Sequence, residues 1–394
     1  MGLRKRLEYM RKQRGWNATE LAREAGISRT AVVNVGDGTA APGIDTVERL
    51  ANALGVSAAW LGFGDAALVE LTSHMVAPGF DCLKLSMDLS DLVNGAGGHI
   101  DQSSLYTDAI GAASWRALTD AYKGLPTKPL AQRVAELAGE QPIDVVGLGA
   151  GMAQPEIGLV KNLTEESCEN LRLYLIDISH ALLHAAFQNA QETLHDTDAR
   201  IISIEGDFYR LPSFMHFFGS GTTGPRLRLA TMFGYTFGNL SNEVLFVRNS
   251  LVGFLPGDLL VLEVTRTYAP ADKPAQIQRL DPALSGKRPP EFQQRADEFL
   301  TGPIRRHLKS NAEITISPYL DTTSCAVPGS YAIENRVVAT TSDGKKKKFS
   351  VGHSKRYDIP KLTECMGKEG WELLEEWRYG DEFPGSLCLF QRAE

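Results

Sequence analysis

Three glycines close the stretch IDVVGLGAG at 143–151: Gly147, Gly149 and Gly151. The residues before them are apolar and partly β-branched, which predicts a buried strand running into a turn. Without a Cβ, glycine lets backbone approach a ligand closely, so this turn is a candidate cradle for a nucleotide-like cofactor. The spacing is G-x-G-x-G. The dinucleotide fingerprint G-x-G-x-x-G sets a helix N-terminus against a pyrophosphate, and its third glycine has no counterpart in the MAQPE that follows. Two acids extend the pattern. LRLYLID ends in Asp177, placed to accept hydrogen bonds from both hydroxyls of a ribose, and IEGDFYRL carries Asp207 next to Phe208. An acid beside an aromatic ring suits adenine, the carboxylate taking the exocyclic amine and the ring supplying an apolar face.

These residues need elements to hold them. IDVVGLG, LRLYLID, ARIISIEG, LRLATMFG and LLVLEV read as strands, with helical stretches between most of them. That alternation implies an α/β, Rossmann-like core: a parallel sheet wound by helices on both faces. In LVGFLPGDLLVLEV, Pro256-Gly257-Asp258 marks the turn before the last of these strands. The order acid, acid-aromatic, Pro-Gly favours S-adenosylmethionine as the cofactor. A dehydrogenase holding NAD is the competing reading, and competition between the two nucleotides would separate them. Further on, ENRVVATTSDGKKKKFSVGHSKRY reads as a hairpin with Asp343-Gly344 at its turn and Lys345–Lys348 as a solvated tip. KLTECMGKEG reads as an amphipathic helix and SLCLFQRA as a final strand. The organisation expected is a core over 141–265, a smaller mixed α/β substrate subdomain with C-terminal strands over 266–394, and a mostly helical connector or lid over 66–140. ALVELTSHM, ASWRALTDAY and LAQRVAELAG supply the connector's helices.

Residues 1–65 have a different character. Five short helical patterns are separated by turn signals, with Asn17 and Ser28 as N-caps and Gly26 as a stop. ELAREAGIS, TVERLANALGVS and WLGFG resemble the repressor-type (XRE/Cro-like) helix-turn-helix family. The resemblance implies a third helix in the DNA major groove, with Arg29, Thr30 and Asn34 near base edges. Ala18 stands where that family usually has a phosphate-anchoring glutamine, and Gly36-Asp37-Gly38 where Glu-Arg-Gly is common. Phosphate neutralisation supplies most non-specific affinity, so double-stranded DNA binding and a role in dimerisation or docking both stay open.

TMFGYTFGNL at 231–240, LYTDAIGAASWRALTDAYKGLPTK upstream and FSVGHSKRYDIPKLTECMGKEGWEL downstream resemble the histidine-specific Nα-methyltransferases of ergothioneine biosynthesis. The likeness, in scattered motifs over about 103–394, implies an S-adenosylmethionine-dependent methyltransferase. It implies Gly149 at the cofactor turn, Asp177 on the ribose, Asp207 and Phe208 at adenine, Asn239 on the substrate α-amino group and Ser354 on the substrate side. Leu125 replaces that family's tyrosine, Gly352 its ring-holding glutamate and Pro155 its lysine. A pocket without the ring contacts discriminates poorly for histidine, so a different amine or amino-acid-like acceptor is expected. For such an acceptor Asn239 could orient the amine lone pair and Glu263 could take a proton or balance ammonium charge. Tyr235 and Tyr106 are candidate pocket walls.

Composition narrows the rest. Net charge is −7, although residues 1–30 are locally basic. No apolar run approaches the roughly eighteen residues of a membrane span, and the N-terminal residues lack a signal-peptide core. The five cysteines show no C-x-x-C spacing, so neither a zinc site nor a disulfide framework is expected, which fits a reducing cytoplasm, and no metal is expected. The segment Gly238-Asn239-Leu240 is not the Asp/Asn/Ser-Pro-Pro-aromatic motif of amino-group DNA methyltransferases, and no Pro-Cys dipeptide fits the cytosine class. Repressor-type modules often pair, so a homodimer is expected. The alternative to an enzyme is a transcriptional regulator whose methyltransferase-like half senses S-adenosylmethionine or a metabolite.

Overall fold

Helix stop and start signals at the N-terminus become five short helices: α1 (Leu3–Gln13), α2 (Ala18–Ala25), α3 (Arg29–Asp37), α4 (Ile44–Leu54) and α5 (Ala58–Phe63). The computed structural model describes residues 3–63 except 41 and 57, 74–119, 125–309 except 167, 216, 217 and 219–225, and 311–394 except 381–383. Asn17 accepts from the amides of Thr19 and Glu20, and Glu20 reaches back to the Asn17 amide, so a capping box starts α2. Ser28 caps α3 through the Ala31 amide. Leu7, Leu21, Val32, Leu50, Leu54 and Leu61 then share one buried core.

The alternating pattern of the second half becomes β3 (Ile143–Leu148), α9 (Gln154–Glu165), β4 (Arg172–Asp177), α10 (His180–Thr193), β5 (Arg200–Glu205), β6 (Leu227–Met232), α11 (Glu243–Ser250) and β7 (Leu259–Arg266). The strands run parallel in the order β5-β4-β3-β6-β7. Near-continuous apolar sequence in β3 and β6 follows from burial on both faces. One face packs Tyr174, Phe214, Phe237, Phe246 and Trp371, the other Leu130, Val134, Leu159, Leu183 and Leu229. The chain builds outward from β3 to β5 and then returns to β6 on the other side of β3. This reversal opens a crevice at the carboxyl ends of β3 and β6, the place where open α/β sheets bind ligands.

Beyond β7 lie α12 (Pro274–Leu280), α13 (Pro282–Ser285), α14 (Pro290–His307) and the antiparallel strands β8 (Ala312–Asp321), β9 (Tyr331–Thr341) and β10 (Lys346–Tyr357). The expected hairpin is β9–β10, with Gly344 at φ 78° in its turn. After α15 (Ile359–Lys368), the strands β11 (Trp371–Tyr379) and β12 (Gly385–Arg392) return to the core sheet, β12 lying antiparallel against β7. The fold is therefore mixed α/β: an all-α helix-turn-helix region and a Rossmann-like core that carries a smaller mixed α/β part.

The 66–140 region departs from a helical connector. It holds α6 (Cys82–Asn94), α7 (Ala109–Thr119) and α8 (Thr127–Ala138), but also β1 (His74–Val76), parallel to β5, and β2 (Gly97–Ile100), parallel to β10. In ALVELTSHM, residues 67–73 lie outside the described residues and His74-Met75 are strand, because the free edge of β5 offers unpaired backbone groups. The last three residues of ASWRALTDAY also lie outside the description. No helix among the described residues is long and apolar enough to cross a membrane.

Candidate cofactor and acceptor site

Gly149 has φ 70°, and a Cβ there would lie 3.0 Å from Thr236 Cγ2 and 3.2 Å from the Phe208 ring. Both backbone and space require glycine. The amides of Gly149 and Ala150 donate to the Ile176 carbonyl at 2.9 and 3.0 Å, tying the turn to the end of β4. Asp177, buried at that end, accepts from Gly151 N on one carboxylate oxygen and from Ser179 N on the other, each at 2.8 Å. Each oxygen keeps acceptor capacity for a further donor. Burial pushes this carboxyl upward, opposed by the same backbone N–H groups. Gly147 corrects the expectation drawn from the motif. It lies within β3 and lines neither cavity described below; its missing Cβ leaves room for Glu156 Cγ, which would stand at 3.1 Å.

A cavity of about 530 Å³ opens over the turn and is lined by Gly149, Gly151, Asp177, Asp207, Phe208, Tyr106 and Asn239, among others. Asp207 accepts from Tyr209 N at 2.8 Å. Burial drives its carboxyl up, reinforced by the negative charge of Asp101. Phe208 packs edge-on against Phe246. Tyr106 packs edge-on against Trp115, ring centroids 5.4 Å apart, and forms an aromatic wall. Asn239 ends the 3₁₀ turn Thr236–Asn239, and its side-chain amide has no hydrogen-bond partner among the described residues. The described lining holds Asp88, Asp101, Asp177 and Asp207 but neither lysine nor arginine.

A second cavity of about 290 Å³ shares Gly149, Gly151, Trp115 and Thr236 with the first and continues to Tyr235, Glu263, Tyr379, Glu156 and Leu125. Glu263 and Asn239, read together from sequence as catalytic, line different cavities. Glu263 accepts from Gly234 N at 2.6 Å and from the Tyr379 hydroxyl, so it holds the turn in which Tyr235 adopts φ 59°. Burial raises its carboxyl while those donors lower it. Glu156 is more isolated: one carboxylate oxygen has no partner among the described residues, and burial, with Glu263 and Asp177 nearby, pushes it up to about 8.

Ser354 lines neither cavity. A bulge in β10 between Ser350 and His353, with Gly352 at φ 59°, sets the strand's facing. His353 and Lys355 point to the Leu240 carbonyl at 2.7 and 2.6 Å, whereas the Ser354 hydroxyl accepts from Arg356 Nη1 at 2.6 Å, beside the buried Arg356–Asp281 pair. Trp115, Asp101, Thr236, Glu156 and Tyr379 join the site without having been singled out. Of these only Asp101 carried a local signal, as the N-cap of DQSS.

On the helix-turn-helix, Arg29 and Thr30 are exposed on the first turn of α3, while Asn34 is half-buried one turn later. Residues 7–61 match the helix-turn-helix family model. No curated protein matches the chain. Among solved structures the chain is similar to an S-adenosylmethionine-dependent methyltransferase from Clostridium acetobutylicum, at 10% identity over 72% of this chain and 98% of that one, TM-score 0.37. It is similar to a sugar N-methyltransferase from Streptoalloteichus sp at 11% identity, 71% and 92% coverage and TM-score 0.36. The 1,6-didemethyltoxoflavin-N1-methyltransferase of Burkholderia thailandensis gives 8%, 72% and 85%, and TM-score 0.38. Likenesses this distant leave the reaction to be argued from the residues themselves.

Proposed function

We propose that the chain is an S-adenosylmethionine-dependent methyltransferase acting on a small amine or amino-acid-like acceptor other than histidine, with the helix-turn-helix serving dimerisation or DNA binding. The observation that carries this reading is the character of the larger cavity. A glycine turn meets buried Asp177 and half-buried Asp207 at the ends of adjacent strands, and no described lysine or arginine lines the wall. A dinucleotide brings a pyrophosphate, whose charge four aspartates would repel. A sulfonium nucleoside brings positive charge, two ribose hydroxyls and an adenine amine, and each finds an acceptor here.

In this assignment Asp177 takes the ribose hydroxyls, Asp207 the adenine amine, and Phe208 covers the ring. When bound, S-adenosylmethionine supplies a methyl group already activated by its sulfonium. The chain's own work is then alignment and control of protonation. Asn239, with its carbonyl oxygen unengaged, accepts an N–H from the acceptor amine and turns the lone pair toward the donor. Glu263 gives the second cavity a carboxylate that suits an ammonium group, and Glu156 adds a carboxyl that holds its proton at neutral pH. By the resemblance, Leu125, which lines the second cavity, and Gly352 replace the tyrosine and glutamate of the similar family, so an imidazole loses those partners.

The test is a titration of the full chain with S-adenosylhomocysteine by calorimetry, followed by incubation with S-adenosylmethionine and a panel of primary and secondary amines. Micromolar binding, an excess of S-adenosylhomocysteine release over a no-acceptor control, and a mass gain of one methyl on one amine are expected. NADH uptake in place of the sulfonium nucleosides would reject the assignment.

A further inference from the structure

At the edge of the sheet, one strand beyond Asp177, β1, β5 and α10 bring together His74, Glu205 and His180, none of which lines either cavity. We propose that these three side chains bind a divalent transition metal ion of the zinc type, which staples β1 to the core. The ligand atoms all lie within 4.8 Å of one another. Glu205 Oε2 stands 2.8 Å from His180 Nδ1 and 4.0 Å from His74 Nε2. Ligands on one tetrahedral zinc, each about 2.0–2.2 Å from the ion, are separated by about 3.3 Å, so the metal replaces the proton shared by His180 and Glu205 with little side-chain movement.

Two neighbouring features support the assignment. His74 uses its other ring nitrogen, Nδ1, against Ser203 Oγ at 2.8 Å. That contact fixes the ring so that Nε2 faces Glu205, the outer partner that metal-bound histidines usually have. His184, one turn along α10, stacks its ring parallel to that of His180 at 6.5 Å, giving an i, i+4 histidine pair on one helix face. Glu205 is nearly buried whereas the His74 and His180 side chains are 43% and 67% exposed. The anionic ligand is thus held rigidly by the sheet and the ion has an entry path. Imidazole with one carboxylate is a donor set for zinc, copper or nickel, not for calcium or magnesium.

The staple has a clear mechanical consequence. β1 is only His74–Val76 and, among the described residues, pairs with β5 alone, and two or three ladder bonds hold an edge strand weakly. In sequence it stands between the helix-turn-helix and everything that follows. An ion bridging His74 to Glu205 and His180 fastens that entry point without touching the cofactor site.

The test uses the full chain, stripped with a chelator and titrated with zinc chloride alone, with bound metal counted by mass spectrometry and cobalt(II) absorption reporting the ligand geometry. One zinc per chain is expected. His74→Ala and His180→Gln should each weaken binding at least about tenfold, and Ser203→Ala by about tenfold. Because His180→Gln keeps a hydrogen-bonding group beside Glu205, an unchanged circular dichroism spectrum checks that it folds. S-adenosylhomocysteine affinity should not change in His74→Ala, which separates this proposal from the methyltransferase reading. No stoichiometric uptake, or uptake indifferent to both histidine changes and therefore held by thiols, overturns it.

Discussion

Asp177 illustrates how one side chain can serve both fold and ligand. Its two oxygens already fix the turn through Gly151 and Ser179, so Asp177→Asn replaces one acceptor by an NH₂ that faces an amide donor, and it removes the charge. Hydrogen bonds to charged groups contribute about 1.5–3 kcal/mol, so S-adenosylhomocysteine affinity should fall by about 10- to 100-fold in a calorimetric titration. Asn239→Ala should behave differently, leaving that affinity within about twofold and lowering kcat by about 10²-fold, because the role proposed for its free amide is acceptor alignment. Equal losses in both measurements would place Asn239 on the cofactor instead. Glu156 gives a pH signature. Its carboxyl, raised to about 8 from an ordinary 4.5, is protonated in the folded chain at neutral pH and ionised in the unfolded one. The folded state therefore holds the extra proton, and the stability it confers is full below about pH 4.5 and lost as pH rises towards 8. Chemical denaturation of Glu156→Gln against the parent should show the variant gaining relative stability across that window. Parallel curves would mean that Glu156 is ionised in the fold.

The elements show which of these roles could be read from sequence. The place of Asp177 and Asp207 in the cavity wall was legible because a strand that alternates with helices ends at the crevice side of the sheet. Gly147 lines neither cavity and Glu263 lines a different one from Asn239, and both placements have long-range causes. Nothing in GLGAG says that Glu156, nine positions on, folds back into the space at Gly147, and nothing near Glu263 announces the Tyr379 hydroxyl arriving from β11. The described lining of neither cavity includes β10, and Ser354, beyond a one-residue bulge, meets Arg356 instead, a register that is not encoded locally. β8, β11, α12 and α13 escaped because half-exposed strands and short helices carry weak periodicity. The same β10 strand governs the acceptor turn. Lys355, buried, pairs with buried Glu243 and reaches the Leu240 carbonyl, while the Tyr357 hydroxyl donates to the Phe237 carbonyl at 3.3 Å. The turn bearing Asn239 is therefore pinned by residues more than a hundred positions later. Lys355→Met would strand the Glu243 carboxylate and should cost about 3–5 kcal/mol, read as a lower urea midpoint. Lys355→Met with Glu243→Leu should recover most of that loss, and failure to recover would show that the pair's carbonyl contacts matter more than its charges.

At the scale of the whole molecule the question is what a helix-turn-helix does on an acidic chain. Net charge is −7, so long-range attraction to DNA has to come from one face, and α3 contributes a single base, Arg29, while ending in Asp37. The other bases of residues 1–30 lie on α1, α2 and the turn between them, so α3 itself neutralises few phosphates. Each contact contributes about −0.9 to the slope of log affinity against log salt, and a single copy is expected to bind weakly. Pairing changes the arithmetic, since two recognition helices one DNA turn apart, about 34 Å, double the contacts and make the second binding event intramolecular. Selection of the full chain against a random duplex pool at low salt should therefore enrich a palindrome with half-sites about 10 base pairs apart. Arg29→Ala should abolish the enrichment while leaving S-adenosylhomocysteine binding intact. If no sequence is enriched at any salt concentration while light scattering shows a dimer that dissociates when residues 3–63 are cut away, the module's exposed α3 is surplus to its role, and these helices join two enzymes to each other instead of to a gene.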